Sequence, residues 1–537
     1  MHIIRQYLLS LITAGSLLLS CPLQAQQLPA LQPDPPKDWY ALDPKTDGYM
    51  GISLKQAYQF LQGKQSKPVV VAIIDSGIDT LQQDIQGVLW VNPVRDKDYP
   101  GDLHGWNFLG GPGRRCDFNE TSEEVRQYFK LKDKYSHAIA PSDNNKKEYA
   151  FWLQVKTEYD ATIAKAKTEL PPLNQVLNAL VETSGFIRHE LGLKDNQTFS
   201  RVDLEKIVAK NDTLLQIKNL WMLAFSQDVS TSTNVKVIRE MSEYVTKLNN
   251  DISPDLDARK RIIGDDPDQL HDRFYGNNQL KFEDSSHGTE VAGLVGAKRG
   301  NGYGIDGIAD NVQLMIIKAV PLGDEYDKDE ANAIRFAVDH GARIINMSFG
   351  KKVSPHKEWL DSAFQYASAH NVLLVQASGN ENLDLDKQLE YPNAHFLDGS
   401  PEAADNVLNV GASGLKADTS LATDFSNFGK QNVDVFAPGV KITSIDMDAE
   451  TTTDDGTSFS SPIVAGVAAL IMEYYPDLNV KQVKQAIMQS VVPLQGLMVY
   501  KPGTHELVDF SALSRSGGIV NAYLALDNAS KMVTAKR

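Results

Sequence analysis

Two hydrophobic patterns alternate along the chain. One is the short run that stays apolar: residues 69–74 read Val-Val-Val-Ala-Ile-Ile, mostly β-branched. Residues 314–320, 342–347, 372–376, 407–410 and 433–436 are similar in kind. Such a run suits a strand covered on both faces, as in a parallel sheet. The other pattern is helical spacing, seen over 54–61, 329–340 and 354–370. Strand and helix in alternation predict an α/β fold, a three-layer, doubly wound and mostly parallel sheet with helices on both sides.

One block breaks the alternation. Residues 120–279 are polar, helical in spacing and poor in strand signal. Thr121-Ser122-Glu123-Glu124 has the form of a capping box. Trp152, Val155, Tyr159, Ile163 and Ala166 step by three and four and share one helical face. Leu173, Val176, Leu177, Leu180 and Val181 repeat this after Pro171-Pro172, a pair suited to starting a new helix. Further helices are expected over 204–226 and 235–249. These stripes are packing faces, so the block is expected to be an all-helical subdomain inserted into an α/β domain made of 46–119 and 280–537.

The first 25 residues are expected not to belong to the fold. Arg5, an apolar run over 8–19 and small residues after it form a secretory signal peptide. Two processing readings fit. One cuts after Leu23-Gln24-Ala25. The other cuts before Cys21 in the lipobox-like Leu18-Leu19-Ser20-Cys21 and leaves a lipid on Cys21. An apolar run of about 12 is short of the roughly 20 residues that span a bilayer. Residues 26–45, rich in Pro and Gln, read as an extended leader. The expected location is exported: periplasmic or extracellular, or anchored in an outer membrane if Cys21 carries lipid.

Composition narrows the partners. Lys plus Arg number 53 and Asp plus Glu 69, a net charge of −16. That balance argues against a nucleic-acid partner, which needs a cationic face. There are two cysteines, Cys21 and Cys116. They exclude a disulfide scaffold and a cysteine-based metal site.

Three short motifs stand where chemistry is expected. Asp75-Ser76-Gly77-Ile78-Asp79 follows the first apolar strand, and ligands of open α/β sheets sit at the carboxyl ends of strands. His287-Gly288-Thr289-Glu290-Val291-Ala292-Gly293 opens a helix. Gly456-Thr457-Ser458-Phe459-Ser460-Ser461-Pro462 leads into another, and a helix start offers free N–H groups to a developing oxyanion. Alone, these read as a turn Asp, a surface His and an N-cap. Together they supply a nucleophile, a base and a carboxylate to orient the base. The order Asp…His…Ser is one of the known triad orders. No G-x-S-x-G elbow or phosphate loop occurs, and His189-Glu190 lacks the second His of a zinc-protease motif.

With these motifs the sequence resembles the subtilisin-like serine proteases, the subtilases of peptidase family S8. The resemblance covers 39–108 and 283–526. It implies that Asp75 orients, His287 is the base and Ser458 attacks. In Ala377-Ser378-Gly379-Asn380, it implies that Asn380 donates to the oxyanion together with Ser458. Ser348, Phe349, Gly350 and Gly379 would bind the substrate backbone. The implied activity is a serine endopeptidase acting on proteins or peptides through an acyl-enzyme. A rival reading is a catalytically silent, peptide-binding or surface interaction protein on the same scaffold; the filled catalytic positions weigh against it. The chain departs from compact members in the separation of 212 positions from Asp75 to His287. Because it lies near Asp75 and His287 in sequence, the inserted block is expected either to gate or shield the cleft or to bind a partner. The leader is too short to be the folded inhibitory propeptide of many secreted members. Members often bind Ca²⁺, but residues 299–306 offer few carboxylates against the 6–8 oxygens that ion takes. No metal ligand and no cofactor are assigned.

Overall fold

The computed structural model describes residues 34–94, 96–136, 145–225, 232–399, 405–449 and 451–534. The signal segment 1–25 with Cys21, and the leader up to residue 33, lie outside the described residues. Along the chain run α1 (Leu54–Leu61), β1 (Val69–Asp75), β2 (Gly105–Asn107), α2 (Glu123–Tyr135), α3 (Lys146–Glu190), α4 (Asp212–Ala224), α5 (Asn234–Ile252), α6 (Ser286–Gly296), β3 (Val312–Lys318), α7 (Asp327–Asp339), β4 (Ile344–Met347), α8 (Lys357–Ala369), β5 (Leu373–Ala377), β6 (Val407–Ser413), β7 (Val435–Pro438), α9 (Thr457–Tyr474), β8 (Val492–Pro493), β9 (Gly518–Ile519) and α10 (Ala522–Thr534). None of the helices described is long and apolar enough to cross a membrane.

The main sheet has nine strands in the order β8-β9-β7-β6-β5-β4-β1-β3-β2. Its pairings are parallel except that between β8 and β9 at one edge. The apolar runs serve both faces of this sheet. Val71 and Ile73 of β1, Leu314 and Ile316 of β3, and Leu373 and Val375 of β5 enter one core with α6, α9 and α10. Their neighbours Ala72, Ile74, Met315, Ile317 and Leu374 enter a second core with α7 and α8. Strand side chains alternate between faces, so only a sheet covered twice makes every position apolar. This is the three-layer α/β fold expected. β1 lies between β3 and β4, and chain direction across the sheet reverses there. Such a switch point opens a crevice at the carboxyl ends of the strands.

The helical block forms a compact unit over 131–254. Its core joins Ala166, Leu173, Leu180 and Ile187 of α3 to Trp221 of α4 and to Val237, Met241, Tyr244, Val245 and Leu248 of α5. Asn211 and Thr233 cap α4 and α5 by accepting from Leu214 and Lys236 N–H. Pro171-Pro172 does not start a new helix: α3 runs through both. Proline removes the N–H bonds to residues four back. Those carbonyls belong to Lys167 and Thr168, which are exposed, so water can serve them. The buried stripe recurs every seven residues across the prolines, and its packing keeps the helix continuous.

This unit is narrower than the 120–279 expected, for an electrostatic reason. Residues 120–130 and 255–279 belong to the α/β unit. Arg259 makes two bidentate pairs, with Asp329 at 2.7 and 2.7 Å and with Asp265 at 2.9 and 2.7 Å. Lys328 Nζ adds a 2.7 Å bond to Asp265. Arg126 donates to the carbonyls of Thr121 and Asp324. Both guanidiniums lie over the Tyr326 ring, 3.9 and 4.3 Å from its centroid. All four residues of the first turn of α7, Asp327 to Glu330, are buried. These pairs tie both flanks of the helical block to α7.

Candidate active site

Five chain segments converge at the switch point. β1 ends on Asp75, α6 begins one residue before His287, and α9 begins one residue before Ser458. Ser348 follows β4, and Ser378 to Asn380 follow β5. Parallel strands bring their carboxyl ends to one edge, which gathers residues far apart in sequence.

His287 Nδ1 lies 2.8 Å from Asp75 Oδ1, which also accepts the Ser76 N–H at 2.7 Å. A carboxylate only accepts, so Nδ1 carries the proton and Nε2 is left as the basic nitrogen. Asp75 is 2% exposed at its side chain and His287 40%. The approach depends on Gly288, where a Cβ would collide with the Gly77 carbonyl and crowd Asp75. Gly288 N–H also donates to Ser76 Oγ at 3.1 Å. Beneath, the buried Lys318 Nζ holds the Ser76 carbonyl at 2.5 Å and Asp284 at 2.6 Å. Burial alone would lower the His287 pKa. The charge and hydrogen bond of Asp75, with Asp454, outweigh that and hold it above 6.5.

Ser458 sits in the first turn of α9, where N–H groups have no intrahelical acceptor. Its hydroxyl donates to the Ser348 carbonyl at 3.2 Å, and Ser348 Oγ returns a bond to the Ser458 carbonyl at 2.9 Å. It does not donate to His287. The His287 ring stands instead beside Phe459, the next residue, with centroids 6.0 Å apart.

Asn380 is oriented by chemistry. Its Oδ1 accepts from the Thr457 N–H at 2.9 Å and from Thr457 Oγ1 at 3.0 Å. An N–H partner demands the oxygen, so Nδ2 is the end left to donate. The same contact caps the start of α9 from another loop. Thr457 Oγ1 also accepts the Gly379 N–H at 3.2 Å. Ser348 is buried, Phe349 half-buried and Gly350 exposed, so this segment leads outward from the sheet beside Ser458.

The structure thus gathers Asp75, His287, Ser458, Asn380, Ser348, Phe349, Gly350 and Gly379. Thr457, which fixes Asn380, was missed by motif reading. The signal was there, since threonine at a helix start commonly engages polar groups. Lys318 and Asp284 were missed because they act from different elements and carry no local pattern. Near the 299–306 loop, Asp84 Oδ1 and Oδ2 accept from Asn301 Nδ2 at 2.6 Å and Ile305 N–H at 2.8 Å.

Comparison with known proteins gives this geometry a setting. Residues 66–516 match the subtilase family. The chain is 35% identical over 248 residues to the thermophilic serine proteinase of Bacillus sp. (strain AK1), covering 46% of this chain and 55% of that protein. The match thus spans about half the length of that relative. Subtilisin DY of Bacillus licheniformis is 32% identical over 231 residues, covering 43% of this chain and 79% of that protein. The solved structure of the prenylagaramide maturation protease PagA is 29% identical with a TM-score of 0.37, covering 45% of this chain and 82% of that one. With the Asp, His and Ser motifs at one strand edge and a match across 66–516, the chain belongs to the subtilase family.

Proposed function

We propose that the chain is a serine endopeptidase that cleaves proteins or peptides through an acyl-enzyme. The observation that carries this reading is the 2.8 Å contact of His287 Nδ1 with the buried Asp75, which leaves Nε2 as a base beside the Ser458 turn. Ser458 rotates from the Ser348 carbonyl toward Nε2. Its oxygen bonds to the scissile carbonyl carbon as its proton passes to His287. The negative charge that develops on the carbonyl oxygen is met by Asn380 Nδ2 and the Ser458 N–H, donors set before the reaction starts. The carbon–nitrogen bond then breaks, and His287 gives the proton to the leaving amine. Water repeats the sequence on the ester, with His287 again as base, and frees Ser458. Asp75 stabilises the imidazolium formed in each half. No metal or cofactor enters these steps.

Substrate backbone pairs with Ser348 to Gly350 and with Gly379. The chain acts after export. The signal pattern over 1–25 supports this, as do relatives named minor extracellular protease and cell wall-associated protease, both of Bacillus subtilis. The mass of the mature N-terminus decides between cleavage after Ala25 and a lipid on Cys21.

The test is labelling by a serine-directed fluorophosphonate, with Ser458→Ala beside the parent. Label on the parent alone is expected. A processed parent that takes no label and cleaves no peptide would establish the silent scaffold instead.

A further inference from the structure

Beside the candidate nucleophile an open pocket of about 660 Å³, counting its mouth, is lined by Phe349, Gly350, Gln376, Gly379, Glu390 and Asn409 among others. Its position relative to the reaction is set by Gly379, next to Asn380. If the scissile carbonyl is held between Ser458 and Asn380, as the proposed function requires, the side chain on the acyl side leaves the adjacent carbon and meets this pocket.

Around Gly379 the chemistry is one-sided. Asn427 Nδ2 donates one hydrogen to the Ser378 carbonyl at 2.8 Å and the other to Glu390 Oε2 at 2.7 Å, with Glu381 Oε2 at 3.4 Å, so the two carboxylates lie beside one amide. Glu381 Oε2 also takes the Asn380 N–H at 2.6 Å. The backbone makes room for this pair: Gly379 has φ +103°, and a Cβ there would collide with Asn427 and Glu390. Burial first, then Glu381, raises the Glu390 carboxyl well above the usual carboxylate range against the pull of Asn427 and Lys352. Among the described residues neither glutamate has an ion-pair partner.

The uncharged lining points the same way. Gln376, 4% exposed, donates Nε2 to the Pro392 carbonyl at 3.2 Å, which leaves Oε1 buried and without a donor. Asn409 donates Nδ2 to the Asn432 carbonyl at 2.7 Å, and its Oδ1 is likewise buried without a donor. The cations on the lining, Lys484 and Arg515, are each 3.3 Å from Asp434. Both cations thus converge on Asp434, and among the described residues no cation is paired with the glutamates at the Gly379 end. A buried acceptor left unpaired is costly, and a charge-assisted hydrogen bond is among the strongest ways to satisfy one.

We infer that the pocket selects a lysine or arginine side chain on the acyl side of the scissile bond, with Glu390 as the principal determinant and Glu381 and Gln376 assisting. This rests on the endopeptidase reading and adds its substrate class.

The test uses the processed full chain and peptides that differ only in the acyl-side residue: arginine, lysine, norleucine, leucine and glutamate. Norleucine keeps the length of lysine without its charge. Lysine and arginine are expected to exceed norleucine in kcat/KM by about tenfold or more, and glutamate to be cleaved least. Glu390→Gln keeps an acceptor for Asn427 and is expected to reduce the lysine-to-norleucine ratio by about tenfold, Glu381→Gln by less. A parent that labels with fluorophosphonate yet prefers leucine or norleucine overturns the inference and leaves the endopeptidase reading standing. An unchanged ratio in a folded, labelled Glu390→Gln does the same. A parent that neither labels nor cleaves any of the peptides overturns both.

Discussion

Two polar assemblies share the α/β unit. Around the first turn of α7, Arg259 is gripped by Asp265 and Asp329, Lys328 by Asp265, and Arg126 by carbonyls and acids. At the strand edge, Asp75 holds His287 and Thr457 holds Asn380. The first assembly contains the more displaced titrations. Burial and the neighbouring Glu120 push Asp117 up to about 8, and burial above all pushes Glu325 up to about 7. Perturbed pKa values are often read as a mark of function. Here they mark closure as well. The α7 network turns its hydrogen bonds inward and is sealed, whereas the strand-edge site keeps His287 Nε2 and Asn380 Nδ2 uncommitted beside a half-exposed serine. Unspent hydrogen-bonding capacity at an accessible place separates the two better than displacement does.

The contrast breaks most sharply under Ser458→Ala. Loss of about 10⁶ in kcat is expected, with the thermal midpoint little changed, because the deleted hydroxyl only reaches the Ser348 carbonyl. Residual turnover near the parent's would show that another group attacks. Arg259→Ala tests the other side. Removing it leaves Asp265 and Asp329 buried without their main cation, at a cost of about 3–5 kcal/mol. Chemical denaturation should report that loss while the folded fraction keeps the parent's kcat. If kcat fell and stability held, the network would belong to the catalytic machinery and the comparison would fail.

Asn380→Ala sharpens the line within the site. It deletes both the Nδ2 donor and the cap on α9. The donor's loss should lower kcat by about 10²–10³ with KM nearly constant. The cap's loss should cost about 1 kcal/mol of stability. Asn380→Asp separates the two roles, since it keeps an oxygen for Thr457 and replaces the donor with an acceptor. It should retain stability and lose rate. Equal rates for Asn380→Asp and the parent would remove Asn380 from the oxyanion.

What could be read in advance follows from how local each signal is. β1 was legible because six adjacent residues are apolar and only a doubly covered strand uses them all. Asp75, His287, Asn380 and Ser458 were legible because each stands inside its own short motif. Pro171-Pro172 misled because local propensity favours a helix start there, while the stripe from Ala166 to Ile187 overrides it through packing. The limits of the helical block misled because nothing local marks where 120–130 and 255–279 attach to the buried turn Asp327-Lys328-Asp329-Glu330. Its burial depends on Arg126 and Arg259, which come from two distant segments. Glu390 gave no sign at all: its meaning comes from Glu381 and Asn427, gathered only by folding.

The smallest expected effect separates the chemistry of His287 from its structural role. Its pKa is held above 6.5 in the folded chain, so the pair with Asp75 favours the protonated ring. That stabilisation is fully present below the unfolded value near 6.5 and is lost as pH rises through the folded value. Catalysis needs the opposite state, because only the neutral ring can accept the Ser458 proton. Activity and this contribution to stability must therefore change in opposite directions across one window. The acid limb of kcat/KM should lie above 6.5 and fall about tenfold per pH unit below it. Proton NMR of the imidazole in Ser458→Ala should titrate over the same window. The stability difference between the parent and His287→Ala should shrink as pH rises through it, by a small amount, since the side chain is 40% exposed. An acid limb below 6.5 would mean that Asp75 does not hold the charge on the ring, and the Asp75–His287 half of the site would not be preset.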